Sequence, residues 1–422
     1  MTLIFLTMSR IAEISTRGIY IDLMRKFRDE GHNVYILTPE ERGHGSLFTV
    51  HGSRLLEVDG VHILRVKTLN LQKTNVIEKG FGQVLVESQY KSAIKKYLGN
   101  VKFDLILYST PPITFPKVIA YLKRKNPQAK SYLLLKDIFP QNAVDLGMLT
   151  ASVRASWFTV HGWVEPLKYQ LYKYFRKKEK KLYALSDYIG CMSPANVEYV
   201  LKHNPEIRPE RVEVAPNSVE QIGNDNVNVN DNKREIRVKY NLPTDKPIFI
   251  YGGNLGKPQG IPFLIECLEA NADRDDCHFV VIGSGTERQK IVSWYETRKP
   301  KSVTLMESLP KEDYDMLAQS CDVGLIFLDH RFTIPNYPSR LLPYLENKMP
   351  IIAATDPNCD TGKIAEENGY GFWCESNSVE AFTAIVDKMI HSDRNAMGEK
   401  GYEFLCKNYL VSNTYQAIIK HV

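Results

Sequence analysis

Short runs of β-branched and leucine residues recur along the chain, separated by stretches with helical spacing. In the first half these runs are Leu3–Leu6, Asn33–Leu37, His62–Val66, Asp104–Tyr108, Ser131–Leu135, Tyr188–Met192 and Arg211–Ala215. In the second half they are Pro247–Tyr251, His278–Ile282, Ser302–Met306, Asp322–Leu328 and Pro350–Ala354. Several are continuously apolar, as expected of strands buried on both faces of a parallel sheet. The intervals leave room for crossover helices, for example Gly18–Asp29, Lys311–Ser320 and Ser339–Asn347. Alternating strand and helix predicts an α/β, doubly wound fold.

One interval breaks the pattern. Residues 221–235 are polar and Asn-rich, with the composition of a linker. They divide the chain into an expected N-terminal Rossmann-like domain over 1–220 and a C-terminal one over 236–401. The segment 402–422 has helical spacing with an aromatic face and is expected to pack back on the first domain. Two doubly wound domains predict a cleft lined by the carboxyl ends of strands, where ligands bind and helix N-termini point.

At 422 residues the chain is too long for one ordinary core, and 43% hydrophobic with 24% charged residues is globular composition. No apolar run approaches the roughly 18 residues of a membrane helix. The opening residues read as a first buried strand rather than a secretory signal. The net charge of +5 is mild and gives no reason to expect nucleic acid. The seven cysteines are scattered without a Cys-x-x-Cys pair, and the ten histidines lack metal-ligand spacing. Neither a disulfide framework nor a metal site is expected, and the cysteine usage fits a cytoplasmic protein.

Chemistry concentrates just after strands. Tyr251-Gly-Gly-Asn-Leu-Gly-Lys-Pro-Gln-Gly260 follows one strand and precedes a helix. Glycines there, including Gly253 and Gly256 beside Asn254, permit close backbone approach to an anion, and Lys257 adds a cation. The same residues also fit a structural glycine turn. Further on, Ser339 is placed to cap a helix and Arg340 lies in its first turn. A cation there opposes the helix dipole, unless an anion is bound beside it. A solvated surface arginine is the simpler alternative. Asp137 follows the strand Ser131–Leu135 and can face an acceptor hydroxyl, or cap the next helix. Between Trp163 and Tyr183 an aromatic and leucine face accompanies Lys173, Arg176, Lys177, Lys178, Lys180 and Lys181. A basic amphipathic helix suits an anionic membrane surface, and equally a core-packed helix with a solvated face.

Taken together these motifs resemble the family 4 retaining glycosyltransferases of the GT-B fold, in the branch that builds bacterial capsule and O-antigen, such as N-acetylfucosamine transferases. The resemblance rests on Gly31-His-Asn-Val, Val214-Ala-Pro-Asn-Ser-Val219, the loop 252–260, Val281-Ile-Gly-Ser-Gly285, Lys136-Asp-Ile-Phe-Pro-Gln141 and Tyr337-Pro-Ser-Arg-Leu-Leu342. It implies that Lys257 and Arg340 neutralise a leaving nucleotide diphosphate, aided by Ser339 and the backbone N–H groups of Leu341 and Leu342. It implies that Gly18 and Gly283 approach the donor, and that Asp137 faces the reacting sugar. Two glutamates of the family pattern are replaced here by Pro335 and Pro343, with Glu346 one helical turn from the second as a substitute. The activity implied is transfer of a hexose or N-acetylhexosamine from a nucleotide diphosphate sugar, expected to be UDP-linked. The acceptor would be a polyprenyl-diphosphate-linked glycan at the inner membrane face, and neither cofactor nor metal would be needed. Alternatives are a non-catalytic subunit of a glycan-assembly complex and a nucleotide-sugar epimerase.

Overall fold

The computed structural model describes residues 1–11, 13–41, 52–68, 76–152, 164–221 and 229–422. The chain divides into two compact units, Met1–Glu220 with Val411–Val422, and Gln221–Leu410.

The first unit is built on an eight-stranded sheet. Its strands are β1 (Thr2–Leu6), β2 (Asn33–Glu41), β3 (Arg54–Val58), β4 (Val61–Thr68), β5 (Leu105–Ser109), β6 (Lys130–Leu135), β7 (Tyr188–Cys191) and β8 (Val212–Val214). Their spatial order is β3-β4-β2-β1-β5-β6-β7-β8, parallel except that β3 runs antiparallel to β4. The order reverses between β1 and β5. Leu3, Ile4, Phe5, Leu105, Ile106 and Leu107 are fully buried, because helices cover both faces of the sheet.

The second unit holds a six-stranded parallel sheet. Its strands are β9 (Ile248–Asn254), β10 (His278–Ser284), β11 (Val303–Met306), β12 (Val323–Phe327), β13 (Ile351–Thr355) and β14 (Gly371–Glu375). The order β11-β10-β9-β12-β13-β14 reverses between β9 and β12. Phe249, Tyr251, Phe279, Phe327 and Phe382 form the centre of one apolar core.

The sequence pattern locates twelve of these strands and misses β3 and β14, both at sheet edges. β3 alternates half-buried and exposed positions, so it lacks the apolar run that marks a central strand.

Two boundaries differ from the sequence reading. The expected linker 221–235 is partly helical: Val229–Lys239 forms a helix, of which Ile236 and Arg237 are buried. Arg237 reaches Asp322 at 2.6 Å and the Ser320 carbonyl at 2.8 Å, so the helix is anchored to the second unit. The expected single helix 402–422 is two helices, Arg394–Asn408 and Val411–Ile419. Gly401 packs on Leu345 and Tyr370, which keeps Tyr402 in the second unit. Only the final helix joins the first unit. There the Val411 N–H donates to the Val219 carbonyl, and Tyr415 packs on Phe27 and shares a hydrogen bond with His32 at 2.9 Å.

At the carboxyl end of β13, Asp356 is fully buried. Its Oδ1 accepts the N–H groups of Asn358 at 2.9 Å and Cys359 at 3.0 Å, while Oδ2 has no partner. Burial pushes this carboxyl up to about 7. The folded chain therefore holds the proton more tightly than the unfolded chain. The stability this confers is complete below the ordinary carboxylate range and is lost as pH rises through about 7. Asp356→Asn mimics the protonated acid. It should raise the unfolding midpoint at pH 8 by at least about 2 °C, with a smaller gain at pH 5. An equal effect at both pH values, measured by thermal unfolding, would contradict this.

Candidate functional site

In the second unit the chemistry gathers at the carboxyl ends of β9 and β12, the pair at which strand order reverses. An open parallel sheet leaves a crevice there, since the crossovers on either side lead away in opposite directions.

β9 ends in Tyr251-Gly-Gly-Asn254 and continues through a short 3-10 turn, Lys257–Gln259. Gly253 takes φ +119°, a conformation that side chains rarely tolerate, and stands exposed at the mouth of the loop. The loop is braced from within. Asn254 Nδ2 donates to Gln259 Oε1 at 3.0 Å, and the Gly256 N–H donates to the same oxygen at 3.2 Å. The Leu255 N–H donates to the Ser284 carbonyl at 2.8 Å. Lys257 projects exposed from this turn.

The long segment after β12 brings Arg340 to the same place. Its guanidinium lies over the Tyr251 ring, 4.3 Å from the centroid. A Cβ on Gly253 would stand 3.6 Å from Arg340 Nη2, so the glycine and the cation are neighbours. Arg340 Nη1 is buried and has no hydrogen-bond partner. Burial works against the charge and the Tyr251 and Tyr344 phenols favour it, with the balance above the ordinary arginine value. The result is a charged donor held in place with an open valence, which is what an anionic oxygen requires.

Beneath it lie two more tyrosines. The Tyr344 hydroxyl accepts the Gly252 N–H at 3.3 Å and donates to the Ile250 carbonyl at 3.2 Å. A Cβ on Gly252 would come within 2.0 Å of the Tyr314 hydroxyl. The sequence reading passed over all three tyrosines. Tyr251 carried a signal, an aromatic directly before Gly-Gly at a strand end, but nothing in the sequence joins it to Arg340.

Of the expected donor residues, Ser339 is corrected as a helix cap. Ser339 does not cap the following helix. Arg340 occupies the cap with φ −65° and ψ −14°, so Ser339 stands outside the helix, exposed, and no side-chain cap forms. The N–H groups of Leu341 and Leu342 already donate to the carbonyls of Pro338 and Ser339, each at 3.2 Å. Gly283 takes φ +150°, and a Cβ there would come within 1.8 Å of the Gly253 carbonyl oxygen. Its place is to let β10 press against the loop from behind. Glu346 ends the helix Leu341–Glu346 and is half-buried.

In the first unit, Asp137 follows β6 and is half-buried. Its carboxylate accepts from Asn142 Nδ2 at 2.7 Å, and its backbone is held by the Thr110 hydroxyl from the loop after β5. Pro140 occupies the cap of the next helix, Gln141–Asp145, so Asp137 is not that cap. Burial raises its carboxyl to about 6, against which the Asn142 hydrogen bond works. The adjacent Lys136 donates to the Ala215 carbonyl at 2.8 Å, and burial lowers its amine to about 7. Gly18, expected near the donor, stands directly before the helix Ile19–Asp29. Its N–H donates to Asp22 Oδ1 at 2.9 Å, and its extended backbone does not require glycine.

Trp163 lies outside the described residues. The helix Val164–Leu185 carries the basic stretch. Leu167, Leu171 and Tyr174 are 61%, 41% and 39% exposed and share one stripe, beside the exposed Lys173, Lys177 and Lys181. Three of the expected surface cations are engaged within the unit. Arg176 pairs with Glu179 and reaches Asn204 at 3.0 Å, Lys178 pairs with Glu87 at 3.0 Å, and Lys180 lies 3.4 Å from Glu206.

Among the described residues no group of three or more His, Cys, Asp or Glu is placed to hold a metal ion, and no helix is long and apolar enough to cross a membrane.

Residues 232–404 match the family described as Glycosyl transferases group 1. A probable glycosyltransferase of Pseudomonas aeruginosa, WbjE, is 23% identical over 343 residues, which cover 80% of this chain and 78% of the relative. Among solved structures, sucrose-phosphate synthase from Thermosynechococcus elongatus aligns with a TM-score of 0.70 at 13% identity, covering 100% of this chain and 98% of that one. Anabaena HepE in complex with UDP aligns with a TM-score of 0.65 at 13% identity, covering 100% and 99%. The fold is that of the GT-B glycosyltransferases, with two parallel-sheet Rossmann-like domains. Together these matches support a transferase.

Proposed function

We propose that this transferase moves a hexose or N-acetylhexosamine from a nucleotide diphosphate sugar to a hydroxyl of a lipid-linked glycan, in assembly of a bacterial surface polysaccharide. The observation that carries the donor reading is Arg340 at the switch point of the second sheet, a cation with a buried, unpartnered Nη1 and with Nη2 on the side of Gly253. UDP is the expected nucleotide, supported by the solved complex of HepE with UDP. The capsule and O-antigen setting rests on the motif resemblance.

The chemistry follows from where charge develops. As the bond between the anomeric carbon and the diphosphate oxygen breaks, negative charge grows on that oxygen. Arg340 and Lys257 offset it, and fixed cations serve this best because they need no reorganisation. The acceptor hydroxyl forms the new bond on the face the diphosphate leaves, and its proton passes to a diphosphate oxygen. Configuration is thereby retained, and the step as written uses no metal. Asp137, raised to about 6, is mostly ionised at neutral pH and can accept a hydrogen bond from an acceptor hydroxyl. Removing one transition-state cation typically lowers turnover by about 10²–10³. Arg340→Ala and Lys257→Ala should each show losses of that order in a sugar-transfer assay. Near-parental rates in both would remove the assignment.

The acceptor reading adds a membrane surface. It is supported by the exposed stripe Leu167, Leu171 and Tyr174 alongside Lys173, Lys177 and Lys181. Each cation near an anionic surface contributes about 1 kcal/mol. Changing the three lysines to Gln should therefore weaken sedimentation with phosphatidylglycerol vesicles by about 10²-fold. Unchanged binding, or no binding by the parent, would reject this part.

A further inference from the structure

Arginine is usually immobilised by a carboxylate. In the first unit Arg25 is held in this way by Asp22 at 2.6 Å and Glu220 at 2.7 Å. Such partners fix the side chain and also cancel its charge. Arg340 is held differently: among the described residues no carboxylate pairs with it, and its guanidinium lies on the face of the Tyr251 ring with the Tyr344 and Tyr314 phenols nearby. An aromatic face attracts a guanidinium through its quadrupole and leaves the net charge intact for a ligand.

Tyr251 has a second contact. It is fully buried, and its hydroxyl donates to the Asn254 carbonyl at 2.9 Å. That carbonyl belongs to the turn carrying the exposed Gly253 and leading to Lys257. One side chain thus touches the segment after β12 with its ring and the loop after β9 with its hydroxyl. Tyr314 and Tyr344 back this arrangement at Gly252.

We propose that Tyr251 is a positioning residue for the anion site: its ring aims Arg340 and its hydroxyl sets the Asn254 turn, fixing cation and glycine loop relative to one another for a nucleoside diphosphate. This rests on the reading of the loop as the donor site. A loose arginine would lose rotamer freedom on binding, whereas one already stacked has less to lose. The aromatic support therefore acts on the phosphate end of the ligand and leaves recognition of the nucleoside to other groups.

The test is calorimetric titration of the full chain with the nucleoside diphosphate that binds the parent, chosen from UDP, GDP and ADP, and with the corresponding nucleoside by displacement. Tyr251→Phe keeps the stack and loses one hydrogen bond, so diphosphate affinity should fall about 3-fold or less. Tyr251→Leu should weaken the diphosphate about 10-fold or more and leave the nucleoside within about 2-fold. If Tyr251→Leu does not fold, Tyr251→Met carries the same expectation. Parental diphosphate affinity in the aliphatic variant, or equal losses for diphosphate and nucleoside, would overturn the proposal. Loss of diphosphate binding in Arg340→Ala alongside such a result would leave the donor site standing and remove only the role of Tyr251. A parent that binds none of the three diphosphates would overturn both.

Discussion

Both units are governed by the same constraint: a sheet covered on both faces disfavours polar side chains along its central strands. Leu3 to Leu6, Leu105 to Tyr108, Ile248 to Tyr251 and Val323 to Phe327 are all buried. Hydrogen-bonding and charged groups are thereby driven to strand ends. Where strand order reverses, between β9 and β12, the ends also lack a crossover above them. Gly253, Lys257 and Arg340 gather there because the topology leaves that place open. In the first unit Asp137 occupies the corresponding edge, one strand beyond the reversal between β1 and β5.

The cations of the two units differ in how they are held. Arg25 and Arg237 are buried and carry carboxylate partners, and they anchor the end of the first unit and the start of the second. A buried pair of this kind is costly to break but attracts nothing further. Arg340 is held by a ring and retains an unpartnered Nη1. Gly253 beside it, with its left-handed backbone, keeps side-chain bulk away from the cation. The same distinction divides the basic helix Val164–Leu185. Arg176, Lys178 and Lys180 are tied to acids of their own unit, while Lys173, Lys177 and Lys181 remain exposed beside an apolar stripe.

The central strands were legible because double burial writes itself as a continuous apolar run, and the glycine loop because its position after β9 and its glycines are both local features. Edge strands β3 and β14 were not, since edges need no such run. The aromatic support of Arg340 was also out of reach: Tyr251, Tyr314 and Tyr344 lie on separate elements, and period and spacing carry no information about which of them meet. Ser339 looked like a cap because serine before a helix commonly is one. The helix instead starts one residue later, with Arg340 in the cap. The pairing of Lys178 with Glu87 joins the basic helix to another helix far away in sequence, so charge counting overstated the free basic face.

The central claim is that the second unit receives a nucleoside diphosphate at Arg340 and the Gly252–Gly260 loop. Thermal unfolding of the parent and of Arg340→Ala against UDP, GDP, ADP and CMP tests it most directly. A ligand at 100 times its dissociation constant adds about 2.7 kcal/mol, a shift of several degrees. The account predicts a raised midpoint with one diphosphate, UDP foremost, and its loss in Arg340→Ala. A parent whose midpoint responds to none of the four, or an Arg340→Ala protein that responds as the parent does, would contradict it.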